Sequence, residues 1–302
     1  MLEQFEHASI LVLGSGTSVG VPMIGCRCKT CSSDDQRDKR LRPSVLLRLG
    51  NARVLIDTSP DFRYQALHFG IDRIDAILYT HAHADHLTAA AYLKQKLGCR
   101  LGTGEHVRTV QQAWREILNL DGSFRADGSQ FDQLFTEGER LALGELTVTV
   151  WHTPGHTPGC VAYVVTGGDA PACVFVGDTM FMPDCGTARA DFPGGDARRL
   201  YRSIRRILSL PPETRLFVCH DYPPAGRTAA FETTVAEQRR ANIHVKDGTE
   251  EGAFAEFRNA RDKTLGQPTL LLPSIQVNIR AGVLPPPEDN GVSYLKIPLN
   301  RF

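Results

Sequence analysis

Apolar runs rich in β-branched residues punctuate the chain. They predict strands over residues 10–13, 45–49, 54–56, 76–79, 146–151, 161–165, 173–176 and 216–219. Apolar positions that repeat every three or four residues predict helices over 61–69, 89–97, 107–118, 197–208, 229–243 and 250–263. Strands come first, and strands and helices then mix. That order predicts a layered α/β domain with helices outside sheets. No repeat or linker-like stretch divides the chain, so residues 1–302 read as one domain. Pro285-Pro286-Pro287 predicts a rigid extended segment along the surface.

Composition narrows the class. The 302 residues are 42% hydrophobic and 23% charged, an ordinary globular balance that excludes a disordered or fibrous chain. Lys+Arg and Asp+Glu are both 34, so no global basic field draws nucleic acid or an anionic membrane. The clusters Arg198-Arg199 and Arg202, Arg205 and Arg206 sit at helical spacing and read as a solvated face. No run of about 18 apolar residues predicts a membrane span. The start, residues 1–6, is acidic, and the apolar run 10–13 is too short for a signal-peptide core. A cytoplasmic location is expected, with the eight Cys as thiols or metal ligands. Cys99, Cys160, Cys173 and Cys219 lie in apolar contexts and read as core.

The candidate chemistry follows strand ends. His81-Ala82-His83-Ala84-Asp85-His86 places three imidazoles and a carboxylate within six residues, directly after a strand. Chain reversal there lets several side chains converge, and imidazole with carboxylate suits Zn, Fe or Mn. Three further segments also follow strands. In Thr153-Pro154-Gly155-His156 the turn residues can aim His156 inward. Gly177-Asp178-Thr179 and His220-Asp221-Tyr222 complete the set. Each is weak alone; together they predict one metal site at one edge of the sheets. Cys26, Cys28 and Cys31 have spacing suited to a structural zinc, and free thiols on a loop are the equal alternative; no fourth ligand matches in position, His244 being one candidate. Gly14, Gly16 and Gly20 are not spaced as a dinucleotide loop. Met180 and Met182 read as gap-fillers near the pocket.

The seven residues His81, His83, Asp85, His86, His156, Asp178 and His220 fill the pattern of the metallo-β-lactamase superfamily, which the chain resembles. The resemblance implies a four-layer αββα sandwich. Residues 1–88 resemble its phosphodiesterase branch, through Gly14 to Pro22, Gly25 to Cys31, Arg42-Pro43-Ser44 and Ile56 to Asp61. In that branch similar cysteines bind zinc with a His from the far end of the chain. Residues 84–302 resemble the persulfide dioxygenases and the bacterial β-lactamase-like hydrolases, through Ala91 to Gly98, His156-Thr157-Pro158, Gly177 to Pro183, Asp191 to Asp196 and Cys219 to Pro224. The chain therefore reads as a recombinant of two branches.

The persulfide dioxygenase resemblance implies one Fe(II) at His81, His156 and Asp178, acting on a small-molecule thiol persulfide of the glutathione type with O2 and yielding sulfite. Asp85 and His220 are then catalytic candidates beside the metal. Arg189 is the candidate for the substrate carboxylate, although it stands two residues later than that family's Cys-Gly-Arg pattern. Tyr222 is a candidate for the pocket wall. The hydrolase resemblance implies two Zn or Mn ions held by all seven residues, acting on phosphodiesters or thioesters. Metal would lower the pKa of bound water from ~15.7 to about 7, making hydroxide roughly 12 kcal/mol more accessible. A metal-binding recombinant of little activity is the third reading. No nucleic acid or membrane partner is expected, and a homodimer is the candidate assembly.

Overall fold

The structure is a computed structural model that describes residues 3–5, 8–168, 170–224 and 227–300. Of the acidic start, Met1, Leu2 and Glu6 lie outside the described residues. Strands β1 (Glu3–Phe5), β2 (Ala8–Gly14), β3 (Ser44–Leu49) and β4 (Ala52–Ile56) pair antiparallel in succession. Helix α1 (Phe62–Phe69) leads to β5 (Ala76–Tyr79), which runs parallel to β4. Helix α2 (Ala90–Leu97) leads to β6 (Arg100–Gly104), and α3 (Val107–Ile117) to β7 (Gln133–Phe135), both added in parallel. These seven strands lie in chain order in one sheet.

The second sheet starts with β8 (Arg140–Leu143), β9 (Leu146–His152), β10 (Val161–Thr166) and β11 (Cys173–Phe175). Helix α4 (Ala197–Ile207) crosses to β12 (Arg215–Phe217), which runs parallel to β11, and β13 (Glu232–Thr234) closes the edge. Its strand order is β13-β12-β11-β10-β9-β8. Helices α5 (Val235–Ala241), α6 (Glu251–Asp262) and α7 (Leu271–Asn278) follow.

Side-chain alternation explains the layering. In β10, Val161, Tyr163 and Val165 point between the sheets, where they meet Leu47, Val54, Ile56 and Leu78 of the first sheet. Ala162 and Val164 point outward, against Leu200, Ile204 and Ile207 of α4 and Phe254 of α6. The outer face of the first sheet offers Leu55, Ile77 and Leu101 to Phe62 of α1 and Leu93 of α2. Each such side chain, fully buried, contributes roughly 1.5–3 kcal/mol. The result is the αββα order. Among the described residues no helix is long and apolar enough to cross a membrane.

The helix expected over 229–243 is a correction. Its first part is the edge strand β13, where Thr233 and Thr234 are β-branched and pair with β12. Thr234 then caps α5 by accepting from the Glu237 amide at 3.1 Å. Strand β6 escaped the pattern because it contains Gly102 and Gly104. A Cβ at Gly102 would meet the Phe135 ring at 2.6 Å, and one at Gly104 would meet Val161 at 2.4 Å, so close packing excludes side chains there. Helix α7 was hidden by Pro273, which sits in its first turn. The arginines of α4 are a clamp: Arg198 and Arg202 bind Glu251 of α6, and Arg206 binds Glu137 and stacks on Trp151. Met180 and Met182 are buried in the outer core of the second sheet.

The C-terminal ends of β4, β5, β9, β11 and β12 lead to one edge of the sandwich. Two bonds join the sheets there: Val161 N–H to Thr80 O at 2.8 Å and Tyr163 O–H to Tyr79 O at 2.8 Å. The boundary between the two resemblances, residues 84–88, falls in the loop between β5 and α2, within the first sheet's span.

Candidate metal centre

All seven expected ligands meet at that edge. His81 Nε2 lies 3.9 Å and His156 Nε2 3.8 Å from Asp178 Oδ2. His86 Nδ1 lies 3.1 Å and His220 Nε2 3.4 Å from the Asp85 carboxylate. His220 Nε2 is also 3.7 Å from Asp178 Oδ1, so Asp178 stands between the two halves of the cluster. One ligand atom each from His81, His156 and Asp178 lie within 4.8 Å of one another, as do those of His83, Asp85 and His86.

Four of the imidazoles are hydrogen-bonded through one nitrogen, and His83 faces a carboxylate. His81 Nδ1 lies 3.0 Å from Thr80 Oγ1, whose own proton goes to Asp57 Oδ2 at 2.8 Å. His83 Nε2 lies 3.1 Å from Asp57 Oδ1. His86 Nε2 faces Thr58 O at 3.2 Å, His156 Nδ1 faces Arg189 O at 2.8 Å, and His220 Nδ1 faces Gly16 O at 2.9 Å. A carbonyl can only accept, so those nitrogens carry the protons. The opposite nitrogens of His81, His86 and His156 keep lone pairs, the form in which imidazole binds metal. His81 Nε2, both nitrogens of His83, His86 Nδ1, Asp85 Oδ2 and Asp178 Oδ1 are buried without a hydrogen-bond partner, His83 Nε2 only approaching Asp57. Orphaned buried polar atoms are costly, and a metal ion fits these groups as ligands, through one nitrogen of each imidazole.

The charges are mutually arranged. Burial, reinforced by His83 and His156, pushes the His81 imidazole well below its usual pKa, favouring the neutral ligand. Burial opposes ionisation of Asp85, but His86 and His220 outweigh it and hold the carboxylate ionised. His220 goes the other way: burial is outweighed by Tyr222, Asp178 and Asp85, and its pKa rises well above the ordinary value.

A cavity of about 720 Å3 opens onto Asp85, His156, Asp178 and His220. Phe181, Phe192 and Tyr222 wall it, and Tyr222 is 44% exposed at the rim. Arg189 lines it too, but its guanidinium is engaged by Asp191 at 2.6 and 2.7 Å and by Gly266 O at 2.9 Å. Three basic residues not singled out from sequence as pocket residues, His244, Arg258 and Arg261, line the same cavity. His244 Nδ1 accepts from the Thr187 amide at 3.0 Å, which leaves Nε2 as a donor. Asp184, Cys185 and Asp221 form another ligand-like group, but Arg227 binds both carboxylates and fills it with a guanidinium.

The three loop sulfurs of Cys26, Cys28 and Cys31 lie within 4.8 Å of one another. His244, packed on Thr187 and Phe257, serves the pocket. Gly14 and Gly16 serve close approach: a Cβ there would fall 2.2 and 2.6 Å from the carbonyls of Arg42 and Arg40. Of the thiols expected in the core, Cys99, Cys160 and Cys173 are buried, and Cys219 is only partly so, facing Asp57 at 3.8 Å. Asp57 is the residue that single-residue reading passed over. Its left-handed backbone, φ 55°, ends β4 and turns the carboxylate toward Thr80 and His83.

Comparison with known proteins agrees with this geometry. The chain is 56% identical over 235 residues to a probable metallo-hydrolase of Burkholderia pseudomallei, covering 76% of this chain and 80% of that one. It is 55% identical over 225 residues to glyoxylase B2 of Dictyostelium discoideum, covering 74% and 76%. Persulfide dioxygenase ETHE1 is matched both in sequence and in structure. The Mus musculus protein is 31% identical over 211 residues, covering 69% of each chain. The crystal structure of ETHE1 from Myxococcus xanthus is 27% identical with a TM-score of 0.62, covering 80% of this chain and 95% of that one. A family model for the metallo-beta-lactamase superfamily matches residues 37–220, the span that contains every one of the converging His and Asp ligands. The chain belongs to the metallo-beta-lactamase superfamily.

Proposed function

We propose that this protein is an iron(II)-dependent persulfide dioxygenase-like enzyme, converting a thiol persulfide, O2 and water to the thiol, sulfite and two protons. The observation that carries this reading is the grouping of His81, His156 and Asp178 within 4.8 Å, with His156 and Asp178 lining the pocket. Two imidazoles and one carboxylate are the donor set of non-haem iron oxygenases. Iron held there supplies one-electron chemistry with O2, which amino-acid side chains lack.

The chain's own residues do the rest. Arg189 O and Thr80 Oγ1 orient His156 and His81. Phe181, Phe192 and Tyr222 give the persulfide an apolar surround that limits water. Arg258, Arg261 and His244 Nε2–H offer donors to an anionic substrate tail of the glutathione type, while Arg189 braces the wall. His220, whose proton is held by its acidic neighbours, lines the pocket with Asp85 and is placed to protonate the departing thiolate.

A second reading, a dinuclear Zn or Mn hydrolase of phosphodiesters or thioesters, is favoured by the His83, Asp85 and His86 group and by the position of Asp178 between the two sets. The experiment that separates them is O2 uptake by anaerobically Fe(II)-reconstituted protein given glutathione persulfide, with sulfite as product. The expected result is stoichiometric uptake that is lost in Asp178→Ala. Absence of uptake with iron bound, together with turnover of a phosphodiester or thioester by the Zn or Mn form, would replace the first reading with the second.

A further inference from the structure

The segment from His81 to Thr88 belongs to no helix or strand. Its side chains His81, His83, Asp85 and His86 all turn toward one centre. Buried carbonyls in such a loop need donors from elsewhere, since an unmet one costs about 1–3 kcal/mol.

Asn278, the last residue of α7 and 4% exposed, supplies them from far along the chain. Its Nδ2 donates to His83 O at 2.7 Å and to His86 O at 2.8 Å. Its Oδ1 accepts from the Thr88 amide at 3.0 Å. Both amide hydrogens and the oxygen are used, and two carbonyls on one side admit only this orientation. The Thr88 hydroxyl in turn closes a buried ring with Thr58 and Tyr79, at 2.8, 2.6 and 3.1 Å. Helix α7 cannot slide away easily. Gln111 donates to Ile279 O at 2.8 Å, and Gly282 is so close to α2 that a Cβ would fall 2.8 Å from Ala91 N.

We propose that Asn278 is a positioning residue for the metal centre: by spanning the carbonyls of His83 and His86 it sets how those two imidazoles present their nitrogens. The proposal rests on the dinuclear reading, in which His83 and His86 themselves hold metal. A side chain of another length could not meet both carbonyls and the Thr88 amide at once.

The test titrates wild type, Asn278→Asp and Asn278→Ala with Co(II). It follows the visible absorption of the bound ion and, separately, amide exchange of residues 83–88 without metal. Asn278→Asp keeps shape and acceptor but sets a carboxylate against two carbonyls; Asn278→Ala removes the bonds without that repulsion. The expected result is a 10- to 100-fold loss of Co(II) affinity. An altered spectrum, faster exchange at 83–88 and unchanged exchange in β9 and β10 should accompany it, with Asp worse than Ala. Wild-type affinity and spectrum in either folded variant would overturn the proposal, even with a lowered melting temperature. So would failure of both variants to fold, which would make Asn278 a residue of the fold alone. If wild type binds no Co(II), the metal reading fails, and exchange alone decides: unchanged rates at 83–88 overturn the loop role, and faster rates sustain it.

Discussion

The His and Asp cluster at the sheet edge and the Cys26, Cys28 and Cys31 loop both bring ligand-type atoms within 4.8 Å of one another, and they differ in burial and in how those atoms are held. The His and Asp cluster is buried; His81, His86, His156 and His220 are oriented through bonds to Thr80 or a main-chain carbonyl, and His83 lies against Asp57. The Cys26, Cys28 and Cys31 cluster is half-buried to exposed, and its sulfurs take bonds from neighbouring amides, Met23 N–H at 3.3 Å and Cys31 N–H at 3.5 Å, and from one another. The Cys31 amide holds the Cys28 thiol below its usual pKa. Convergence shows that a loop is compact. Oriented ligands with unmatched lone pairs show that it is prepared for an ion.

The largest expected break in this contrast is Asp178→Ala. It removes the carboxylate between both halves of the buried cluster, so bound metal should fall by at least about tenfold and turnover to background. Metal analysis after dialysis, with an activity assay, checks both, and full activity would overturn the site assignment. His83→Ala sharpens the comparison within the buried cluster. It should leave one iron bound if His81, His156 and Asp178 suffice, and remove one of two ions in the dinuclear reading. Loss of the single iron would argue against the triad.

A smaller effect should appear in acid. Burial, with Arg258 and Arg261 beside it, pushes His244 down to about 4 from 6.5. The unfolded chain takes up this proton near pH 6.5 and the folded one does not. The stability from the neutral ring is therefore full above that pH and drains away as pH falls toward 4. His244→Asn, whose Oδ1 can still accept from Thr187, should flatten the melting-temperature profile between pH 6.5 and 4; an unchanged slope would remove His244 as the cause.

The smallest effect lies in the cysteine loop. Cys28→Ser should alter unfolding free energy by under about 0.5 kcal/mol, as for an exposed side chain without buried partners. Native thiol titration without added metal should find at least two reactive sulfurs in the chain. Finding none would mean that a tightly held ion protects them, and would place the loop with the buried centre after all.

Much of this was legible in the sequence, for physical reasons. The ligands follow strand ends in short segments, and the β-branched runs before them mark those ends. Among the elements that were missed, β6 carries glycines that make room for Phe135 and Val161, β1, β7 and β13 are only three residues long, and β8 and α7 were passed over as well. Asn278 left no local trace, because its partners lie at the other end of the chain and its helix opens with a proline. Arg189 stands out in the sequence through its likeness to the family's Cys-Gly-Arg pattern, whereas its carbonyl orients His156 and its guanidinium is spent on Asp191.

The carbonyls of Gly16, Thr58 and Arg189 that orient three of the imidazoles have a consequence for how this centre can vary. A main-chain oxygen is present whatever side chain is attached. The alignment of His220, His86 and His156 is thus written in the path of the chain, and a scan of side-chain replacements at positions 58 and 189 would pass over it. Insertions and deletions in those loops would not. For these three bonds a change in loop length, more than a change in the side chain at position 189, is what would retune or silence the metal.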